Sequence, residues 1–182
     1  MDDGERCYRR FLQGDEEAFN GVIDCYYDHL TFFINRYVHD LPAAEDLAID
    51  ALLQLMIHPG RYRPEASLKT YLFTLGRNRA LNYLKRRRRE TPMGESDAEQ
   101  QGDLISLEQA VLQNEQRRQL SAAMETLPEE ERTVLHLIYF EGMSYREAAK
   151  TMKKNPKQVD NLLYRAKARL RDALGEEGAQ LL

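Results

Sequence analysis

From Ala18 onward the apolar residues recur every three or four positions, and no stretch of useful length alternates apolar with polar residues. That is the period of a helix and not of a strand, so the chain is predicted to be all-α. Ala18, Phe19, Val22, Ile23, Tyr26, Leu30, Phe33, Ile34 and Tyr37 form one wide stripe. The helix that carries it can be capped by Asp15, has Glu16 and Glu17 in its first turn, and ends at Val38. Pro42 suits a first helical position. From there Ala44, Leu47, Ala48, Ala51, Leu52, Leu55 and Met56 make a second stripe that Pro59-Gly60 breaks. Arg61 to Ala66 is expected to be a loop. Ser67 can cap a third long helix to about Arg89, apolar in its first half (Leu68, Tyr71, Leu72, Phe73, Leu75).

The composition then changes. Thr91 to Gly102 holds Pro, two Gly, Ser and three acids and almost nothing apolar, the signature of a flexible linker. The chain therefore divides into a first helical domain at 1–90, an acidic linker at 91–106 and a second helical domain at 107–182. Helical pattern resumes near Leu104 and runs to Thr126. A further helix starts at Leu127-Pro128 and stops at Gly142, a suitable left-handed cap. Charge follows the same division: the balance is 0 over residues 1–90, −7 over 91–130 and +3 over 131–182. Two basic working surfaces separated by an acidic segment are expected.

Several classes of function lack their residues. Cys7 and Cys25 have no metal-ligand spacing and read as reduced thiols. His29, His39, His58 and His136 are scattered, so neither a metal site nor a cofactor is expected. No convergent set of carboxylates, His or Cys suggests catalysis, and the chain is not expected to be an enzyme. No apolar run approaches the ~20 residues of a membrane span. The start, MDDGERCYRR, has no apolar leader core. A cytoplasmic protein without membrane insertion is expected.

The stretch Ser144 to Arg171 holds nine Lys or Arg against two acids in a chain whose net charge is −4. Local basicity of that strength needs an anionic partner, and duplex DNA is the best candidate. Ser144 and Glu147 match a capping box and open a short helix to Met152. Lys153-Lys154-Asn155 is the turn, with Asn155 a cap and Pro156 a first helical residue for the next helix. On that helix Val159, Leu162, Leu163, Ala166 and Leu170 share one face, while Lys157, Asn161, Tyr164, Arg165 and Ala168 share the opposite one. This is a helix-turn-helix pattern. Ser144, Lys157, Gln158, Asn161, Tyr164, Arg165 and Lys167 are the candidate duplex contacts. Lys157 and Asn161 suit base edges; Arg165, Lys167, Arg169 and Arg171 suit phosphates. A solvated basic face of an ordinary amphipathic helix is the plainer alternative.

Two further stretches carry a resemblance. Ala44-Glu45-Asp46-Leu47-Ala48-Ile49-Asp50, followed by Ser67 to Asn78 (SLKTYLFTLGRN), resembles conserved region 2 of bacterial sigma factors. Leu127 to Arg132 (LPEEER) with Tyr139 to Ala149 (YFEGMSYREAA) resembles region 4. With these two regions and a short linker, the chain is similar to an extracytoplasmic-function sigma factor, over about residues 10–90 and 107–175. The resemblance implies a region 2 helical bundle and a region 4 helix-turn-helix. It implies that Glu45, Asp46 and Asp50 dock the beta-prime clamp of bacterial core RNA polymerase, and that region 4 meets the beta flap. It implies that Arg61 and Arg63, in the loop Arg61 to Ala66, read a flipped base of the −10 promoter DNA. Tyr71, Arg77, Asn78, Tyr83, Lys85 and Arg86 would hold the melted strand, and region 4 would read the −35 duplex. An anti-sigma factor is a further implied partner.

Lys69 to Arg89 carries eight basic residues and no acid, interleaved with aromatics, which suits unstacked bases and their phosphates. The apolar neighbours of Tyr71 equally suit packing into a core. Three positions depart from the family pattern: Tyr71 replaces Trp, Ile49 replaces Gln, and Lys153 replaces a turn glycine, which would put Lys153 in a left-handed conformation or change the turn. A stand-alone helix-turn-helix regulator is the alternative function. It usually binds as a dimer, and without a dimerisation segment this chain is expected to be a monomer.

Overall fold

The structure, a computed structural model, describes residues 2–90, 120 and 122–178, without the side chains of residues 90 and 175–178. The linker expected at 91–106 lies outside the described residues, as does the helical pattern from Leu104 except at residues 120 and 122–125, which are helical. The chain divides into two compact units, Met1–Gly102 and Asp103–Leu182, and the described elements are all helical.

The first unit contains α1 (Asp3–Leu12), α2 (Ala18–Val38), α3 (Leu41–Ile57), a 3-10 turn (Pro59–Arg61) and α4 (Leu68–Glu90). Side-chain caps set three of the four starts. Asp2 accepts from the Glu5 N–H at 2.8 Å, Asp40 from the Ala43 N–H at 3.2 Å, and Ser67 from the Thr70 N–H at 3.3 Å. The start of α2 differs from expectation, because Glu16 and Glu17 form a turn and the helix begins at Ala18. Asp15 still accepts from the Ala18 N–H at 3.2 Å, while its other oxygen holds Arg10 of α1 at 2.6 Å. That ion pair ties the connection to the end of α1.

Helix α2 is central and packs on α1, α3 and α4. Its stripe is buried at Ala18, Phe19, Val22, Tyr26, Leu30, Phe33, Ile34 and Tyr37. Ile23, expected in the same stripe, is exposed. Helix α1 seats on the opposite flank of α2, where Cys7 Sγ fills the space a Cβ on Gly21 would need, and so leaves Ile23 uncovered. Two further close approaches require glycine. The Tyr26 ring occupies the Cβ position of Gly4, and a Cβ on Gly76 would lie 2.8 Å from Leu30 Cδ1, where α4 crosses α2. Burying each large side chain of this core contributes about 1.5–3 kcal/mol.

The second unit contains α5 (Glu129–Leu135), α6 (Tyr145–Met152) and α7 (Pro156–Gly178). A single helix to Gly142 was the expectation; instead, after Leu135 the chain widens into a π-turn, His136–Phe140. Glu141 donates its N–H to the His136 carbonyl five residues back, at 3.1 Å. The wider turn lets the Glu141 carboxylate reach His136 Nε2 at 3.3 Å, with both side chains buried, and sends Tyr139 and Phe140 outward. Gly142 takes the left-handed conformation expected of it, at φ +63°. The core of this unit is aliphatic, from Val134, Leu135 and Leu137 through Ala148, Ala149 and Met152 to Val159, Leu162, Leu163, Ala166 and Leu170.

Candidate nucleic-acid interface

The helix-turn-helix is built by two reciprocal caps. Ser144 Oγ accepts from the Glu147 N–H at 3.3 Å, and Glu147 accepts from the Ser144 N–H at 2.9 Å. Asn155 accepts from the Gln158 N–H at 2.8 Å, and Gln158 Oε1 accepts from the Asn155 N–H at 2.9 Å. Two candidate DNA contacts, Ser144 and Gln158, thus already hold helix starts. Lys153 is left-handed at φ 55°, which closes the turn without a glycine at a cost of about 1 kcal/mol. The outer face of α7 carries Lys157, Asn161, Tyr164 and Arg165, all exposed, with Tyr164 the most exposed large apolar side chain described. Small Ala168 follows on the same face, half-buried. Lys167 is drawn to one side, its Nζ 5.2 Å from the centre of the Tyr139 ring.

Beneath this face lies a feature that α5's sequence does not announce. Glu131 is buried, yet its oxygens lie 3.8 Å from Arg165 Nε and 3.4 Å from Arg169 Nε. Its neighbour Glu130 holds Lys154 of the turn at 2.7 Å. Acids in a first helical turn are ordinary dipole partners, so the sequence offered no sign that Glu131 lies against the basic helix and Glu130 against the turn before it.

In the first unit the loop before α4 is pinned by aromatic packing. The Tyr62 ring meets Tyr8 edge-on at 5.6 Å and Tyr71 at 5.5 Å, and its hydroxyl donates to the Ala66 carbonyl at 3.0 Å. Tyr8 is buried and donates to the Leu55 carbonyl at 3.3 Å. Burial pushes the Tyr8 phenol up to about 12, with Tyr71 and Tyr62 adding to it. Burial also raises the Tyr62 phenol, Glu5 adding and Arg9 opposing. Helix α1 therefore underpins the loop that presents Arg61 and Arg63, both exposed.

Along α4, at about 100° per residue, Tyr71, Asn78 and Lys85 share one face, joined by Thr74 and Asn82, which the sequence reading had not singled out. Tyr71 and Asn78 are half-buried and Lys85 to Arg89 are exposed. Arg77 and Tyr83 fall to either side of that face. Tyr83 turns toward the start of α3, its hydroxyl 3.5 Å from Asp40 Oδ2. Arg86 lies on the exposed tract near the end of the helix.

Helix α3 presents Glu45, half-buried, and Asp46 and Asp50, both exposed. Ile49, Leu53 and Ile57 repeat every four residues among them, each at least 40% exposed. An apolar row flanked by acids suits a partner that is both apolar and basic. Asp50 is met from α4 by Arg79, which donates to its carboxylate at 2.8 Å, to its carbonyl at 3.1 Å and to Gln54 Oε1 at 2.9 Å. Arg79 was missed from sequence because nothing in a helical period links positions on two different helices. Among the described residues no group of His, Cys, Asp and Glu could hold a metal ion, and no described helix is long and apolar enough to cross a membrane.

Comparison with known proteins gives these surfaces relatives. The family model for sigma-70 region 2 matches residues 22–90, and that for sigma-70 region 4 matches residues 117–170. The RNA polymerase sigma-H factor of Pseudomonas aeruginosa is 30% identical over 179 residues, covering 93% of each chain. The ECF RNA polymerase sigma-E factor of Escherichia coli is 28% identical over 169 residues, covering 87% of each. The fold is similar to that of the sigma factor RpoE of Bartonella quintana, solved in complex with the anti-sigma factor NepR, with a TM-score of 0.64 and 22% identity over 86% of this chain and 96% of that one. It is also similar to CnrH, solved with the cytosolic domain of CnrY, with a TM-score of 0.66 and 19% identity over 95% and 97%.

Proposed function

The chain belongs to the extracytoplasmic-function group of the sigma-70 family, and from that premise we propose how its surfaces divide the work of an alternative sigma factor that directs RNA polymerase to promoters. The domain at 1–90 docks the polymerase and opens the −10 DNA; the domain at 107–182 reads the −35 duplex. The reading is carried by one observation: a single chain pairs a helix-turn-helix whose outer face is polar and exposed with a cationic helix, α4, that also carries half-buried aromatics.

On this reading the row Ile49, Leu53 and Ile57, with Glu45, Asp46 and Asp50 around it, meets the beta-prime clamp. Arg61 and Arg63 stand where the loop meets a flipped base, held there by the packing of Tyr62. Tyr71 and Asn78 contact the unstacked strand while Lys85 and Arg86 take phosphates; stacking contributes about 1–3 kcal/mol per base. In the second domain Lys157, Asn161 and Tyr164 face the major groove, and Arg165 and Lys167 the backbone. Tyr139 and Phe140, turned outward by the π-turn, suit the beta flap. An anti-sigma factor covering the acidic-apolar face of α3 would block polymerase docking; the similar RpoE of Bartonella quintana was solved with an anti-sigma factor.

The chemistry of transcription is the polymerase's, and this chain contributes binding energy and orientation. The test is run-off transcription from a panel of genomic promoter fragments with bacterial core polymerase, with and without the protein. Start sites that depend on the protein are expected. Tight binding of duplex DNA with no polymerase association would replace this reading with a stand-alone regulator.

A further inference from the structure

We infer that Glu131 sets −35 specificity without touching DNA, by holding Arg165 in one geometry at the back of the recognition helix. The inference rests on the reading of α7 as the −35 reader. Glu131 lies on α5 and is 3% exposed, while Arg165 and Arg169 stand one turn apart on α7 with more than half of each side chain exposed. A carboxylate is costly to bury without compensation, and the two guanidinium groups, 3.8 Å and 3.4 Å away, are the cations that compensate it. Each arginine therefore has its Nε within ion-pairing distance of the buried carboxylate while more than half of its side chain stays exposed.

A held arginine and a free one bind DNA differently. A free arginine pairs with whichever phosphate is near, which adds affinity for any sequence. An arginine whose rotamer is already restrained meets its acceptor at one position only and loses less freedom in doing so. Glu131 also subtracts one unit of charge from the basic surface. Neutralising it acts twice in one direction: it loosens Arg165 and makes the surface more cationic. Both changes raise binding to wrong sequences more than binding to the right one. Glu131 is thus a positioning residue, and Glu130, exposed and paired to Lys154, is its natural control.

The experiment uses full-length protein in holoenzyme and compares transcription from a promoter with matched and single-substituted −35 elements, across a salt series. Glu131→Gln, close to isosteric, is expected to lower the matched-to-substituted ratio several-fold, mainly by raising transcription from the substituted promoters, and to steepen the salt dependence. Glu130→Gln should leave the ratio within twofold of the parent. In the Arg165→Ala background, Glu131→Gln should lower the ratio by clearly less than it does in the parent, because only its charge effect remains, whereas a purely structural role would give additive losses. An unchanged ratio for Glu131→Gln in a protein that melts like the parent, or additivity in the double variant, overturns the inference. Should the parent holoenzyme itself show no −35 preference, the reading of α7 fails, a distinct outcome that overturns the inference with it. Asn161→Ala, which changes a groove-facing residue and leaves Glu131 alone, separates the two: loss of preference there with no change for Glu131→Gln condemns the inference only.

Discussion

The two units place their aromatic residues in opposite ways. In the first, from Tyr8 to Tyr83, no aromatic side chain is exposed; in the second, Tyr139, Phe140, Tyr145 and Tyr164 are all exposed. Buried acidic and basic side chains are distributed the other way. Among the described residues the second unit buries Glu131, His136 and Glu141, and the first buries Arg36. A bundle of long helices leaves wide gaps that rings fill, and its phenols find carbonyl and carboxylate partners, as Tyr8 does on Leu55 and Tyr26 does on Asp2 at 2.6 Å. A helix-turn-helix is too small for that. It packs Ala, Val, Leu and Met closely and leaves its rings outside, where the proposed function gives them partners. The first unit uses its aromatics for packing, and the second exposes them.

This contrast can be broken. Phe33→Ala should have the largest effect, about 3–5 kcal/mol, by opening a cavity against Tyr37 and Phe73, which lie 5.4 Å and 5.0 Å away. Hydrogen exchange should lose protection in α2 and α4 and keep it in α7. Equal loss in both units would show that their stabilities are not separable. Alkali tests the same asymmetry. A Tyr in an unfolded chain titrates near ~10, whereas the folded Tyr8 titrates at about 12. A raised pKa means that this contribution is complete below the unfolded value and disappears as pH rises toward the folded one. The first unit should therefore lose stability between about pH 10 and 12, while the second, with no buried phenol, keeps its helices longer. Residue-resolved exchange through that window would sink the idea if α7 opened first.

On the recognition side, Asn161→Ala should reduce discrimination at one −35 base pair by about 1–3 kcal/mol. Arg165→Ala should weaken binding across all sequences and also blunt discrimination through the loss of its fixed geometry. Identical profiles for both substitutions on matched and mismatched promoters would remove the distinction between base reading and backbone contact. The smallest effect is expected at Lys153. Replacing a left-handed Lys by Gly relieves about 1 kcal/mol of strain and returns part of it as unfolded-chain entropy, so Lys153→Gly should raise stability by less than about 1 kcal/mol. His39, left-handed at φ 51°, is the matching position in the first unit, and thermal melts of the two variants should shift different transitions.

Much of the fold was legible because local rules and packing agreed. The stripe from Phe19 to Tyr37, the caps at Ser67, Ser144 and Asn155, the left-handed Gly142 and the buried face Val159 to Leu170 follow from periodicity and capping chemistry alone. Ile23 and the π-turn did not follow. The first depends on which flank of α2 a different helix covers, and the second on a widened turn that joins His136 to Glu141. The candidate site divides the same way. The outward set of Lys157, Asn161, Tyr164 and Arg165 was readable, because facing outward is a matter of angle along one helix. What each side chain already holds was not.

By itself the sequence determined the helical class, the cationic faces of α4 and α7, and the family, since each is a pattern along one chain. Only the tertiary structure decided that Arg79 grips Asp50, that Tyr62 sits between Tyr8 and Tyr71, and that Glu131 lies under Arg165 and Arg169. Those pairings join residues on different helices, and no periodicity within one helix states which residue of another it will meet.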